Sequence, residues 1–143
     1  MKTIGQLLQS KGAKVIAIAP RDTVFSALTL MAQYNIGSVL VLEGDELVGI
    51  FSERDYARKV ALEDKASRDM PVREVMTEKV YYVSPSITVD EGMALMTDKH
   101  IRHLPVLNAD AKVIGIVSIG DLVKETISQQ EFTIQQLEAY ILG

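Results

Sequence analysis

The sequence predicts an α+β fold: two pseudo-symmetric β-α-β-β-α repeats packed through their sheets, with a short helix at each end. Three observations carry this expectation. One phrase occurs twice, Gly49-Ile50-Phe51-Ser52-Glu53-Arg54-Asp55 and Gly115-Ile116-Val117-Ser118-Ile119-Gly120-Asp121, each reading Gly, two apolar residues, Ser, two variable residues, Asp. The spacing around it is also repeated. Pro20 and Pro85 are 65 residues apart (85 − 20) and Gly49 and Gly115 are 66 apart (115 − 49), so the second turn holds one extra residue. Finally, apolar periodicity alternates between short buried runs and helical spacing in the same order in both halves. A single unit has too small a core to be comfortable alone, so the two are expected to pack face to face.

The first helix is expected over Thr3 to Ser10, where Ile4, Leu7 and Leu8 share a face and Gly12 punctuates the end. Val15 to Ala19 reads as a short buried strand stopped by Pro20. Thr23 to Tyr34 then places Val24, Leu28 and Met31 on one helical face, with Gly37 as the candidate C-cap. Val39 to Leu42 and Leu47 to Phe51 flank the turn Glu43-Gly44-Asp45-Glu46 and read as a hairpin. A helix from Glu53 to about Leu62 closes the unit, and the charged stretch from Glu63 to Pro71 is the linker. After a helical turn at Val72–Met76 the pattern returns. Val80 to Val83 is the strand, Thr88-Val89-Asp90-Glu91 is a capping box, and Met93 and Met96 fill the places of Leu28 and Met31. Leu104 to Leu107 and Val113 to Val117 form the second hairpin, followed by a helix to about Ser128. The expected units are 1–68 (N-terminal helix and first repeat), 69–130 (second repeat) and 131–143 (an amphipathic C-terminal helix).

Bulk properties narrow the function. Of 143 residues, 48% are hydrophobic and 24% charged, an ordinary balance for a globular domain. A net charge of -4 argues against a nucleic-acid partner, although one local basic cleft is compatible with it. With no Cys there is no disulfide, thiolate ligand or thiol nucleophile. The start lacks the apolar run of a signal peptide and no stretch suits a membrane span, so a cytoplasmic protein without a membrane partner is expected.

In each repeated phrase the apolar pair ends a strand and Asp falls in the first turn of the next helix. Ser, Asp and free helix N–H groups then converge on one spot, which suits a phosphorylated, polyhydroxylated ligand. Either copy alone is equally well read as a plain helix cap. Two copies in matching contexts favour a ligand site.

With these motifs, and with His100-Ile101-Arg102-His103-Leu104-Pro105-Val106 and Val75-Met76-Thr77, the chain resembles the tandem cystathionine-β-synthase (CBS) domain pair, or Bateman module. The resemblance covers nearly the whole chain. It implies two clefts between the repeats that bind adenosine-containing ligands (AMP first, with ADP, ATP, NAD or S-adenosylmethionine as further choices), a role in sensing energy or redox state, a homodimer formed through the CBS pairs and an effector protein it does not name. It places Asp121 on the ribose, Ser118 beside it, Ile116 in the same phrase, and Arg102 and His103 on phosphate. Ile16 and Ala17 would read the adenine through their backbone, Ile36, Gly37 and Ser38 would line its face, and Lys14 would reach a phosphate. The second cleft would use Ser52, Asp55 and Arg54, with Tyr82 or Tyr81 beside the base. Because Gly37 and Ser38 stand where the second unit has Arg102 and His103, the Asp121 cleft is expected to be the primary phosphate site.

His100 and His103 are spaced as metal ligands on a helix could be, but no carboxylate or Cys cluster joins them, so no metal is expected. No nucleophile elbow, phosphate-loop lysine or dinucleotide fingerprint is present, so the chain is read as not an enzyme. The alternative to a sensor is a structural adaptor that mediates dimerisation or docking without binding a ligand.

Overall fold

Thr3 is extended, and its hydroxyl accepts the Gln6 N–H while the Gln6 side chain accepts the Thr3 N–H, a reciprocal cap that starts α1 (Ile4–Lys11). The structure is a computed structural model and describes residues 2–12, 14–66 and 68–142, the side chain of Leu142 excepted. The first repeat contains β1 (Ala17–Ile18), α2 (Val24–Tyr34), β2 (Ser38–Glu43), β3 (Glu46–Ser52) and α3 (Glu53–Tyr56), which continues as a π-type turn over Ala57–Ala61. A 3₁₀ turn at Val72–Glu74 leads to the second repeat, with α4 (Val89–Lys99), β4 (His103–Leu107), β5 (Val113–Ser118) and α5 (Ile119–Leu142). The class is α+β, as the repeated pattern predicts.

β2 is central in the first sheet, parallel to β1 and antiparallel to β3. β4 and β5 repeat the antiparallel pair, with His103 opposite Ser118 as Ser38 is opposite Ser52. The strand expected at Val80–Val83 does not form and shrinks to one bridge between Val83 and Val106. Its cause is Pro105. In the first repeat the Leu40 N–H donates to the Ile16 carbonyl at 3.3 Å, tying β1 to β2. Pro105 holds the equivalent place, opposite Ile116 as Leu40 is opposite Ile50, and has no N–H to donate. The bonds that remain join Val83 to the Pro105 carbonyl (3.0 Å) and to the Leu107 N–H (2.9 Å).

The end of α2 also differs from expectation. Asn35, not Gly37, takes the left-handed turn after α2 (φ 53°), and His100 does so after α4 (φ 56°). Asn adopts this conformation at little cost, which leaves Gly37 free to serve the site. The separate C-terminal helix is instead the continuation of α5, a single helix of 24 residues, because the good helix formers Gln129 and Gln130 stand where a break was expected. Past Gln130 its described side chains are exposed, including Phe132, Ile134 and Leu137.

Each repeat has its own apolar cluster, and each cluster is completed by a segment from just before the other repeat's first strand. Val72 and Val75, upstream of the second repeat, join Val24, Met31, Val39 and Phe51 of the first. Ile4, Leu7 and Leu8 of α1, upstream of the first, join Val89, Met96, Leu104 and Val117 of the second. The packing unit therefore differs from the 1–68 and 69–130 division, since α1 belongs to the core of the second repeat. The glycines of the repeated phrase make room for this. A Cβ on Gly115 would lie 2.8 Å from both methyl carbons of Leu8, and one on Gly49 would lie 2.5 Å from the Met76 sulfur.

Ile4 is fully buried in that second cluster. Ile4→Ala is expected to lower the unfolding free energy by about 2–5 kcal/mol in a denaturant titration. Amide exchange should accelerate first in β4 and β5. Acceleration confined to β1–β3 would contradict this packing.

Candidate functional site

Two clefts lie between the repeats, and Gly37 and His103 line both. Each carries one copy of the Ser–Asp phrase, at the start of α3 or of α5. The local geometry of the two copies is nearly the same. Ser52 N–H donates to Asp55 Oδ2 at 3.0 Å while Asp55 N–H donates to Ser52 Oγ at 3.2 Å. Ser118 N–H donates to Asp121 Oδ2 at 2.8 Å while Asp121 N–H donates to Ser118 Oγ at 3.1 Å. Both are reciprocal caps, which the order strand, Ser, two residues, Asp dictates locally.

Beyond the cap the two carboxylates diverge. Asp55 is buried, and both of its oxygens are engaged. Oδ2 also takes the Ser52 hydroxyl (3.1 Å), and Oδ1 takes the Thr77 hydroxyl (2.9 Å) and pairs with Lys59 Nζ (3.0 Å). The positive charge of this cleft, about 400 Å³, comes from Lys79, Arg54 and Arg102, with the imidazoles of His100 and His103 beside them, against Glu53 and Asp55. Arg54 Nη1 donates to the His100 carbonyl at 3.1 Å, a tie from one repeat to the other. Such a set suits an anionic group.

The Asp121 cleft, about 370 Å³, is built differently. Asp121 Oδ2 accepts Lys11 Nζ at 2.5 Å, and the same ammonium donates to the Ile116 carbonyl at 3.1 Å. Asp121 Oδ1 has no hydrogen-bond partner among the described residues. Burial alone would raise the Asp121 pKa. The hydrogen bond and charge of Lys11, with the bonds from Ser118, outweigh it and hold the carboxyl below its ordinary value. Lys14 lies 4.5 Å over the Tyr34 ring. Ser38, 4% exposed, is among the residues around this cleft, and its Oγ is buried without a hydrogen-bond partner among the described residues. A buried hydroxyl left unpaired costs about 1–3 kcal/mol.

His103 sits between the clefts. Burial pulls its pKa down, Arg102 and Lys11 act in the same direction, and Asp121 and Glu53 oppose them in part.

The structure gathers Lys14, Ile16, Ile36, Gly37, Ser38, His103, Ile116, Ser118 and Asp121 around the Asp121 cleft. Ser52, Arg54 and Asp55 line the other. Three residues fall elsewhere than expected. Arg102 lines the Asp55 cleft and not the Asp121 cleft. Tyr82 is 59% exposed, and its neighbour Tyr81 lines the Asp55 cleft instead. Ala17 is held in β1 opposite Leu40 and lines neither described cleft, although Ile16 does.

Lys11, Lys79 and Thr77 were missing from the expected set. Lys79 had a signal, since it precedes Pro85 by the same six residues (85 − 79) that separate Lys14 from Pro20 (20 − 14). Thr77 stands in the Val75-Met76-Thr77 stretch. Lys11 had none, because its partner is 110 positions away. Among the described residues no group of three or more His, Cys, Asp or Glu gathers as a metal site, and no helix is long and apolar enough to cross a membrane.

The CBS domain family matches the chain twice, over residues 7–62 and 72–128. The mitochondrial CBS domain-containing protein CBSX3 of Arabidopsis thaliana is 39% identical over 99% of this chain and 72% of its own length. A crystal structure of a CBS domain superposes with a TM-score of 0.84 at 52% identity, covering 88% of this chain and 98% of the other. The CBS-domain containing protein of Agrobacterium tumefaciens does so with a TM-score of 0.82 at 33% identity, covering 87% and 99%. Two more distant structures share the fold. One is a CBS domain protein of Pyrobaculum aerophilum complexed with AMP (TM-score 0.75, 23% identity, 83% of this chain and 88% of that one). The other is a CBS domain pair in complex with 5′-methylthioadenosine and S-adenosyl-L-methionine (TM-score 0.79, 22% identity, 90% and 98%). Two repeats, each ending its hairpin in the same Gly-to-Asp phrase and sharing two clefts, are thus two CBS domains, and the chain belongs to the CBS domain family.

Proposed function

We propose that this CBS pair is a regulatory module that binds an adenosine-containing ligand in the clefts between its repeats. The observation that carries the reading is the Asp121 cleft, a space of about 370 Å³ lined by Asp121, whose Oδ1 has no hydrogen-bond partner among the described residues. A ribose diol supplies donors to that oxygen, and Lys11, Lys14 and His103 supply positive or polar groups for a phosphate. AMP fits this set first, with ATP and NAD as larger members of the class and S-adenosylmethionine as a cationic one. The distant structures complexed with AMP and with S-adenosylmethionine support the adenosine class. In the Asp55 cleft the carboxylate is already satisfied, so that cleft offers mainly the phosphate-binding charge of Lys79, Arg54 and Arg102.

Sensing energy or redox state follows if the ligand binds two arrangements of the pair with different affinity and so biases a homodimer or an effector protein. We assign no catalytic step and no metal to the chain. A second reading, a structural adaptor, draws on the exposed apolar residues of α5 past Gln130, which would serve docking without a ligand.

Thermal unfolding with AMP, ATP, NAD and S-adenosylmethionine distinguishes the two. A ligand at a hundredfold excess over its dissociation constant should add about 2.7 kcal/mol of stability, and Asp121→Asn should lose the part owed to its cleft. No shift with any of them at millimolar concentration would leave only the adaptor.

Affinity for AMP should also depend on pH through His103. Burial favours the neutral ring and a phosphate beside it favours the imidazolium, so binding takes up a proton and tightens as pH falls. Calorimetric titration between about pH 8 and pH 6.5, above the second phosphate pKa of about 6, should show this slope in the wild type and its loss in His103→Gln. Equal slopes would remove His103 from the phosphate site.

A further inference from the structure

Lys11 occupies a particular position in the Asp121 cleft. It is the last residue of α1, whose Ile4, Leu7 and Leu8 are buried in the second repeat, so the helix delivers its ammonium to the β5–α5 junction. There it donates both to Asp121 Oδ2 and to the Ile116 carbonyl. A donor at that spot is what an adenosine ligand would bring, since a ribose hydroxyl seeks a carboxylate and an exocyclic amine seeks a carbonyl. Oδ1 is open to one ribose hydroxyl, but a ligand that also takes Oδ2 or the Ile116 carbonyl competes with the ammonium for those acceptors. Among the residues lining the cleft, Asp121 is the one carboxylate, while Lys11 and Lys14 are both ammonium groups.

This asymmetry has a consequence for a ligand's charge. A neutral nucleoside that takes Asp121 weakens the hold on Lys11 and gives its charge nothing in return. A cationic ligand does the same and adds repulsion from two ammonium groups. A ligand with a phosphate repairs the loss, because the freed Lys11 gains an anion inside the cleft and Lys14 can leave the Tyr34 ring to join it. We propose that Lys11 is a specificity-determining residue that makes the Asp121 cleft select phosphorylated adenosine ligands over uncharged or cationic ones. The inference rests on the reading of that cleft as an adenosine site and adds which charge class it accepts. At Asp55 the comparable ammonium, Lys59, bridges Oδ1 and the Val75 carbonyl, but it does not line the Asp55 cleft, and its carboxylate is also held by Thr77 and twice by Ser52.

The test is calorimetric titration of AMP and adenosine into the wild type, Lys11→Met, Lys11→Arg and Asp121→Asn. Binding lost in Asp121→Asn identifies the events in this cleft. In the wild type AMP should bind there more tightly than adenosine. In Lys11→Met AMP should weaken and adenosine tighten, so that their affinity ratio falls by about tenfold, the size expected for one charged hydrogen bond. Lys11→Arg keeps the charge and should keep AMP ahead. Equal weakening of both ligands in Lys11→Met would make Lys11 a structural strut and overturn the proposal. An unchanged ratio would also overturn it and leave the adenosine-binding reading standing. Absence of any Asp121-dependent binding in the wild type would overturn that reading and, with it, the role of Lys11.

Discussion

The structure depends on Leu8 of α1 and Met76 of the inter-repeat segment each lying flat against a glycine of a hairpin strand. Gly115 faces Leu8 and Gly49 faces Met76, and at either position a Cβ would lie closer to its neighbour than van der Waals contact allows. These two contacts seat α1 on the second repeat and the 72–77 segment on the first. The exchange also fills the two cores, which are otherwise small. The residues that follow are then carried to the carboxylates. Lys11 comes three positions after Leu8 and reaches Asp121, while Thr77 comes directly after Met76 and reaches Asp55.

A near-symmetric backbone thus carries two unlike sites. Thr77 is a neutral donor, and with Lys59 and Ser52 it leaves Asp55 buried with both oxygens engaged. Lys11 is a long, charged donor on a half-exposed pair, and it leaves Asp121 with one oxygen free. The first arrangement resembles a finished structural cap, the second a site with a removable partner. Partly exposed ion pairs contribute little net stability, so a competing ligand displaces one at modest cost. Basic side chains divide in the opposite sense, with Arg54, Arg102 and Lys79 gathered at the satisfied carboxylate. His103, lining both clefts, is where an anion in one changes the field felt in the other.

The same division between local rule and long-range partner runs through the fold. Capping by Thr88 and Ser52 follows from residues three apart, and each cap forms where the pattern places it, while Thr3, expected as the first helical residue, caps α1 in the same way. The missing strand at Val80–Val83 looked sound as an apolar run. It failed because its neighbour β4 presents Pro105, and a ladder needs a donor on the facing strand as much as apolar residues on its own. The sequence predicts two helices along α5, one to about Ser128 and an amphipathic one over 131–143. Backbone hydrogen bonding continues regardless of which face is buried, so the helix does too.

What the amino-acid sequence determined by itself was the doubling and its chemistry. The two Gly-to-Asp phrases, with their Ser and Asp at the head of a helix, dictate the caps, which follow from spacings of a few residues, and the repeated apolar pattern around them predicts the α+β class; the two related clefts are what the family resemblance implies. Tertiary structure alone decided which side chains meet in each cleft. Arg102 went to the Asp55 cleft rather than the Asp121 cleft, and Tyr81 lines that cleft while Tyr82 is exposed. Lys11 reached Asp121 across 110 positions because α1 buries its apolar face in the second repeat and not the first. No local pattern encodes that choice, which rests on which of two similar hairpins leaves room beside its glycine for Leu8.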